Sequence, residues 1–355
     1  MVDHASQVRF ATEAEAARWD ELVAANPHGG EVWAATAHLE TKRFSRYQPY
    51  RLIVERPGRA PLAVGVIAKR VPLLGEWWMV LAGPEAEDLA GTLEASEAIA
   101  AFAGSHGAFL VKIEPRLGTE TRPAFEGAGY LPTIRRIPNE STVLVDVSGT
   151  EDEIFARFGK TARNAINRGR REGVVVTRVD SSDANCARFF ALLEETAGGG
   201  RFVLRPSGYF RTFWQTFSRE GSGQMFFAER DGRLLAAAYA IHLGSKTTYK
   251  EGASLREKQA YGVSHLLQWE VMRWANEQGA TVHDLCGTPP SDRLDDESHE
   301  LHGVGRFKRS FHDEVTDYVG AFDIPLRQRA YRLWVRFGDP IARRLSLALR
   351  KDPYY

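Results

Sequence analysis

Residues 224–253, QMFFAERDGRLLAAAYAIHLGSKTTYKEGA, decide the fold class. Three runs of apolar and aromatic residues are parted by Asp231-Gly232 and Gly244-Ser245, pairs that accept the positive φ of tight hairpin turns. The stretch therefore reads as an antiparallel meander. GVSHLLQWEVMRWANEQG follows with apolar residues at helical spacing and a closing glycine, and TVHDLCG then returns to a strand pattern. The same succession stands earlier in the chain. YRLIVER, PLAVGVIAKRV and EWWMVLAG read as strands, EAEDLAGTLEASEAIAAFAGSHG as an alanine-rich helix, and AFLVKIEP as a further strand.

The chain has 355 residues, beyond the usual size of one domain, and its 43% hydrophobic and 26% charged fractions are those of a globular protein. Lysine plus arginine balances aspartate plus glutamate at 46 each, so any attraction to polyanions must come from local patches. Two cysteines, Cys186 and Cys286, lie far apart without metal-site spacing, which fits a reducing compartment and excludes a disulfide framework. No run approaches the roughly 18 apolar residues of a spanning helix, and the N-terminus lacks the pattern of a signal peptide. The expected location is the cytoplasm.

Capping-box spacing at Thr12–Glu15 and Thr150–Glu153 marks two helix starts. The second opens a helix read over 151–172, with Phe155, Phe158, Ala162, Ala165 and Ile166 on one side. Lys160, Arg163, Arg168 and Arg171 belong to the cationic other side, which suits a solvated surface or the phosphates of an RNA. Gln259, Gly262 and Ser264 approximate the Q/RxxGxG/A turn that offers backbone amides to the pyrophosphate of coenzyme A. A turn needing glycine for its conformation explains the same pattern. His299 and His302 sit in an acidic loop without further ligands, so no metal site is expected. The final segment, PLRQRAYRLWVRFGDPIARRLSLALRK, is a basic amphipathic helix; packing against the first domain is the favoured expectation, contact with an anionic membrane the alternative.

Four stretches in order, FGKTARNAINRGRREGV, YKEGAS with its following helix, HDLCG, and GRFKRSF with YVGAFDIPL, are similar to the FemABX family of peptidoglycan bridge aminoacyltransferases. That resemblance implies an α/β fold with mixed sheets, arranged as two tandem GNAT-like acyltransferase domains; the coiled-coil arm of some members has no heptad counterpart between residues 146 and 320, so no arm is expected. The expected boundaries are 1–146, completed by 320–355, and 147–319. The implied reaction moves glycine, alanine or serine from aminoacyl-tRNA to the stem-peptide amine of UDP-MurNAc-pentapeptide or lipid II. The tRNA is a co-substrate, and no other cofactor is implied.

By the same resemblance, Lys308 stabilises the oxyanion, Phe307 stacks on the terminal adenine of the tRNA, and Glu114 stands where the family carries a candidate base. Lys42, Arg205, Tyr209 and Tyr249 bind the precursor, and Lys160, Arg163, Arg168 and Arg171 are candidate tRNA or phosphate contacts. DLCG departs from the family's Asp-Phe-Gly-Gly. Two rivals are an acyl-CoA-dependent N-acyltransferase and a non-catalytic GNAT pair that binds precursor. Peripheral contact with the inner membrane face is a further expectation.

Overall fold

A computed structural model describes residues 6–133, 140–197, 204–255 and 262–350. The chain divides into two compact units, Met1–Glu140 with Asp317–Tyr355, and Ser141–Thr316. The expected boundary after residue 146 is corrected by strand pairing. Ser141–Asp146 runs antiparallel to Val282–Gly287 in the second sheet.

In the first unit the strands are β1 (Gln7–Phe10), β2 (Gln48–Glu55), β3 (Leu62–Val71), β4 (Gly75–Val80), β5 (Ala108–Ile113) and β6 (Leu131–Thr133), with β14 (Ala321–Pro325) from the far end of the chain. Their order is β1-β2-β3-β4-β5-β14-β6. β4 and β5 are parallel, joined through the Leu89–Ser105 helix. Asp88 caps that helix by accepting the Gly91 amide, and Ala95, Ser96, Ile99 and Ala103 form its buried stripe. Trp78, Val111, Phe125 and Phe322 share the core with it.

β14 enters between β5 and β6 and is fastened there by charge. Lys112 Nζ donates to Asp323 Oδ1 at 2.6 Å with both side chains 3% exposed, and it reaches Thr133 Oγ1 at 3.4 Å. Tyr331 donates to the other carboxylate oxygen at 3.2 Å. Lys112 thus pairs with Asp323.

The second sheet is formed by β7 (Ser141–Asp146), β8 (Val175–Val179), β9 (Gly223–Arg230), β10 (Arg233–Leu243), β11 (Lys246–Ser254), β12 (Val282–Gly287) and, at its edge where the second unit ends, the two-residue β13 (Thr316–Asp317). The order is β13-β7-β12-β11-β10-β9-β8. The quoted stretch forms the antiparallel β9-β10-β11 meander, with Asp231 and Gly232 at φ +51° and +74° in its first turn. The Val263–Glu277 helix then crosses to β12, parallel to β11. Among the described residues of this unit no helix exceeds 15 residues.

Both capping boxes form. The helix expected over 151–172 is two, Glu151–Arg157 and Lys160–Arg171, because Phe158 leaves helical geometry at ψ 148°. Gly159 donates its amide to the Ser310 carbonyl at 3.0 Å, and a Cβ there would lie 2.7 Å from the same oxygen. The break is imposed from a distant part of the chain. At the C-terminus the chain forms Gln328–Leu333, a π turn at Trp334–Gly338 and Asp339–Arg350. Trp334 is buried beside Phe109, yet Leu333, Phe337, Ile341, Leu345 and Leu349 are exposed, so the expected packing is met only in part.

Candidate active site

β11 and β12 pair from Lys246↔Val282 to Thr248↔Asp284 and then part, although β11 runs on to Ser254 and β12 to Gly287. The end of β12 is kinked where its register with β7 shifts between Asp284 and Gly287, with Cys286 at φ +61°. Asp284 holds the kink. Its Oδ1 accepts the Cys286 amide at 2.7 Å and the Thr142 hydroxyl.

The His302–Arg309 helix closes on this end through two residues, Gly305 and Lys308, its only buried ones among those described. A Cβ at Gly305 would lie 2.5 Å from Pro289 and 2.9 Å from Thr288 Oγ1, so glycine permits the approach. One turn later Lys308, 6% exposed, donates from Nζ to the Gly287 carbonyl at 2.6 Å. Burial pushes its pKa down, while Cys286 and Asp284 oppose that shift.

Phe307 packs edge-on against His265 at 4.7 Å and Phe311 at 5.6 Å. Tyr249 joins the same core, its phenol pushed up by burial, and a Cβ at Gly252 would overlap its hydroxyl. Phe307 and Tyr249 therefore pack on the same core. His265, in the first turn of the Val263–Glu277 helix, is an addition that sequence reasoning missed, having no local motif.

Burial pushes His265 down to about 4 and the wholly buried His283 down to about 3, from 6.5. Their folded values lie below the unfolded one, so the unfolded chain binds more protons as pH falls through 6.5. Stability is expected to fall from about pH 6.5 downward, by up to about 3 kcal/mol for His265 and about 5 kcal/mol for His283 once each is fully protonated. Denaturant titrations across pH 4–7 check this, with His265→Phe flattening part of the slope. An acid limb unchanged in that variant would refute the assignment.

A bulge opposite Tyr239 and Ala240 leaves Lys250 unmatched between Tyr249 and Glu251. Lys250 and Glu251 consequently meet the Ser207–Arg219 helix. Lys250 Nζ lies 5.1 Å from the Phe213 ring, and Glu251 accepts the Trp214 indole N–H at 3.3 Å. Arg205 covers Tyr209 at 4.4 Å, and the Tyr209 and Phe213 rings are 6.4 Å apart, so two cations bracket an aromatic pair. Arg205 and Tyr209 come together. Tyr249 does not join them, because the bulge sends its ring to the opposite face. Lys250 was not anticipated, since a bulge shows only in the pairing.

Along Lys160–Arg171, Lys160 and Arg171 are exposed, whereas Arg168 pairs with Glu172 at 2.5 Å and Arg163 donates to the Ala156 carbonyl at 3.4 Å. Gln259 lies outside the described residues. Gly262 has φ +85°, and a Cβ there would lie 2.3 Å from the Ala165 carbonyl oxygen, so this glycine serves close packing between helices.

In the first unit, Lys42 lies in the last turn of the Thr36–Phe44 helix with Nζ 5.7 Å from the Tyr47 ring, which Lys69 covers at 4.0 Å. Glu114 is wholly buried just past β5, its amide donating to the Gly83 carbonyl at 3.0 Å. Gly83 also lines a narrow cleft with Asn26, Glu31 and Glu85. Arg116 covers Tyr318 at 4.5 Å and faces Glu31 at 3.8 Å. Among the described residues no group of three His, Cys, Asp or Glu side chains is placed to hold a metal ion.

Residues 156–309 match the family model described as an acetyltransferase (GNAT) domain. Over 88% of its length the chain is 22% identical to a lipid II:glycine glycyltransferase of Staphylococcus aureus (strain MRSA252), covering 92% of that protein. The crystal structure of FemX superposes with a TM-score of 0.76 at 20% identity, over 92% of this chain and 99% of that one. A conserved protein of unknown function from Bacteroides thetaiotaomicron VPI-5482 shares the fold at a TM-score of 0.52 and 12% identity, over 89% and 98% of the two chains. The likeness is a property of nearly the whole chain.

Proposed function

We propose that this chain, a FemABX-family acyltransferase built of two GNAT-type units, transfers an amino acid from aminoacyl-tRNA to the stem-peptide amine of a peptidoglycan precursor. The observation that carries the reading is the buried Lys308 ammonium at the parted ends of β11 and β12. The chain-long likeness to lipid II:glycine glycyltransferases supports glycine as the group moved and a muramyl peptide as the acceptor. The reaction belongs to the cytoplasm, where charged tRNA is available.

In this reaction the acceptor amine attacks the ester carbonyl, a C–N bond forms, and the C–O bond to the terminal ribose breaks. Overall one proton passes from the amine to the departing ribose hydroxyl. Negative charge rises on the carbonyl oxygen in the transition state, and a fixed ammonium stabilises it more than it stabilises the ester. Lys308 supplies that charge from a helix anchored by Gly305. Phe307 offers a ring for the terminal adenine, and the Arg205–Tyr209 pair offers a guanidinium to a diphosphate.

The test supplies tRNA charged separately with labelled glycine, alanine or serine, with UDP-muramyl pentapeptide or lipid II as acceptor, and weighs the product. A single added residue that requires intact tRNA supports the reading. Acylation from acetyl-CoA with no tRNA-dependent product would return the chain to coenzyme A chemistry, and binding of precursor without any turnover would make it a binding protein.

A further inference from the structure

We propose that the C-terminal helical segment, together with the tip of the β3–β4 hairpin, docks the protein on an anionic phospholipid bilayer. Leu333, Phe337, Ile341, Leu345 and Leu349 recur every fourth residue, and each is between 52% and 77% exposed. In a regular α-helix a four-residue spacing drifts steadily around the axis. The π turn at Trp334–Gly338, with its wider winding, offsets one step of that drift, and beyond it the row runs obliquely along the Asp339–Arg350 helix. Gly338 lets the turn close, since a Cβ there would lie 2.3 Å from the Trp334 ring.

The charge around the row is one-sided. Between residues 327 and 351 the sequence carries seven arginines and a lysine against one carboxylate, Asp339, which faces Arg343 at 3.6 Å. An amphipathic helix of low overall hydropathy, with arginines beside a half-exposed apolar row, has the chemistry of an element lying in the headgroup layer. No helix of the described residues is long and apolar enough to cross a membrane, so the contact is peripheral.

A second feature points the same way. Leu73 is fully exposed at the tip between β3 and β4 and sits at φ +66°, a backbone region leucine seldom adopts. Arg327, immediately before the Gln328–Leu333 helix, donates to the Leu74 carbonyl and occupies the space a Cβ on Gly75 would fill. The hairpin tip and the start of the helix are therefore tied together. Together they offer a lipid surface an exposed leucine and an apolar row edged with arginine.

The inference deepens the proposed function by favouring the lipid-linked acceptor, and it rests on that reading for this clause alone. The test sediments the full chain with vesicles of phosphatidylglycerol mixed with phosphatidylcholine, and with phosphatidylcholine alone. Binding to the mixed vesicles is expected to be at least about tenfold tighter and to weaken with salt. The Ile341→Glu/Leu345→Glu double variant and the Arg332→Ser/Arg336→Ser variant are each expected to lose at least about tenfold in binding, and Leu73→Asp a smaller factor. All three are expected to keep their melting temperature and their transfer to the soluble nucleotide acceptor, while losing transfer to lipid II in vesicles.

Absence of sedimentation, or equal binding to both lipids, overturns the proposal. So does a lipid-free dimer that disappears in the Ile341→Glu/Leu345→Glu variant, which would assign the face to a second copy of the chain. Vesicle binding by a protein that transfers to neither acceptor supports the docking and refutes the enzymatic reading instead.

Discussion

Lys308→Met is expected to lower kcat by about 10²–10³-fold, the loss of about 3–4 kcal/mol that follows removal of one oxyanion donor, with little change in KM. The expected signature is a fall of kcat and kcat/KM together, because the ammonium acts on charge present only in the transition state. Lys308→Arg is expected to rescue poorly. A planar fork does not fit the space of a buried point charge held by the Gly287 carbonyl. Burial places the Lys308 pKa below the ordinary lysine value, so activity is expected to decline as pH rises through that lowered value. Residual activity in the methionine variant is expected to lack this limb, and its persistence there would remove Lys308 from the chemistry.

The same burial makes the variant foldable. Between the lowered folded pKa and the ordinary unfolded one, the unfolded chain binds more protons, so wild-type stability rises with pH in that window and the buried charge is a net cost below it. Lys308→Met removes that cost at the expense of one hydrogen bond to Gly287, and its melting temperature is expected to stay within a few degrees. A collapse of stability would mean that the lost turnover reports misfolding.

Lys112→Met is expected to cost about 3–5 kcal/mol, the largest stability effect of any single substitution considered for the first unit. It leaves Asp323 buried without its cation. The double variant Lys112→Met/Asp323→Leu is expected to recover most of that loss, since replacing both partners by apolar residues leaves no stranded charge. Urea unfolding of the two variants measures the difference. Equal destabilisation of single and double variants would show that packing at these positions, and not charge pairing, secures β14.

What was legible in the sequence was what neighbouring residues decide. Asp231-Gly232 and Gly244-Ser245 declare their hairpins, Thr12–Glu15 and Thr150–Glu153 declare their helix starts, and all are found. What was illegible depends on residues far away in the chain. The helix over 151–172 is broken at Phe158–Gly159 because Ser310 occupies the space beside it. β7 reads equally well as the end of one unit or the start of the next until its partner β12 is known.

The site follows the same rule. Phe307 and Lys308 were picked out by resemblance, but the burial of Lys308 rests on Gly305 meeting Thr288 and Pro289, which no spacing reveals. Tyr249, grouped with Arg205 and Tyr209 in the sequence, is parted from them by a one-residue bulge. His265 sits in an ordinary helical pattern and gains its meaning from the Phe307 ring.

The insertion of β14 between β5 and β6 sets an order of events on the ribosome. When residues 1–140 have emerged, the edges of β5 and β6 that β14 will occupy are unpaired, and Lys112 waits 211 residues for its carboxylate. Ser141–Thr316 has its main sheet complete before that carboxylate is synthesised. The nascent chain thus carries open strand edges through most of its translation, the condition in which chains mispair with neighbours. Birth order and folding order are reversed: the unit made first is the one finished last.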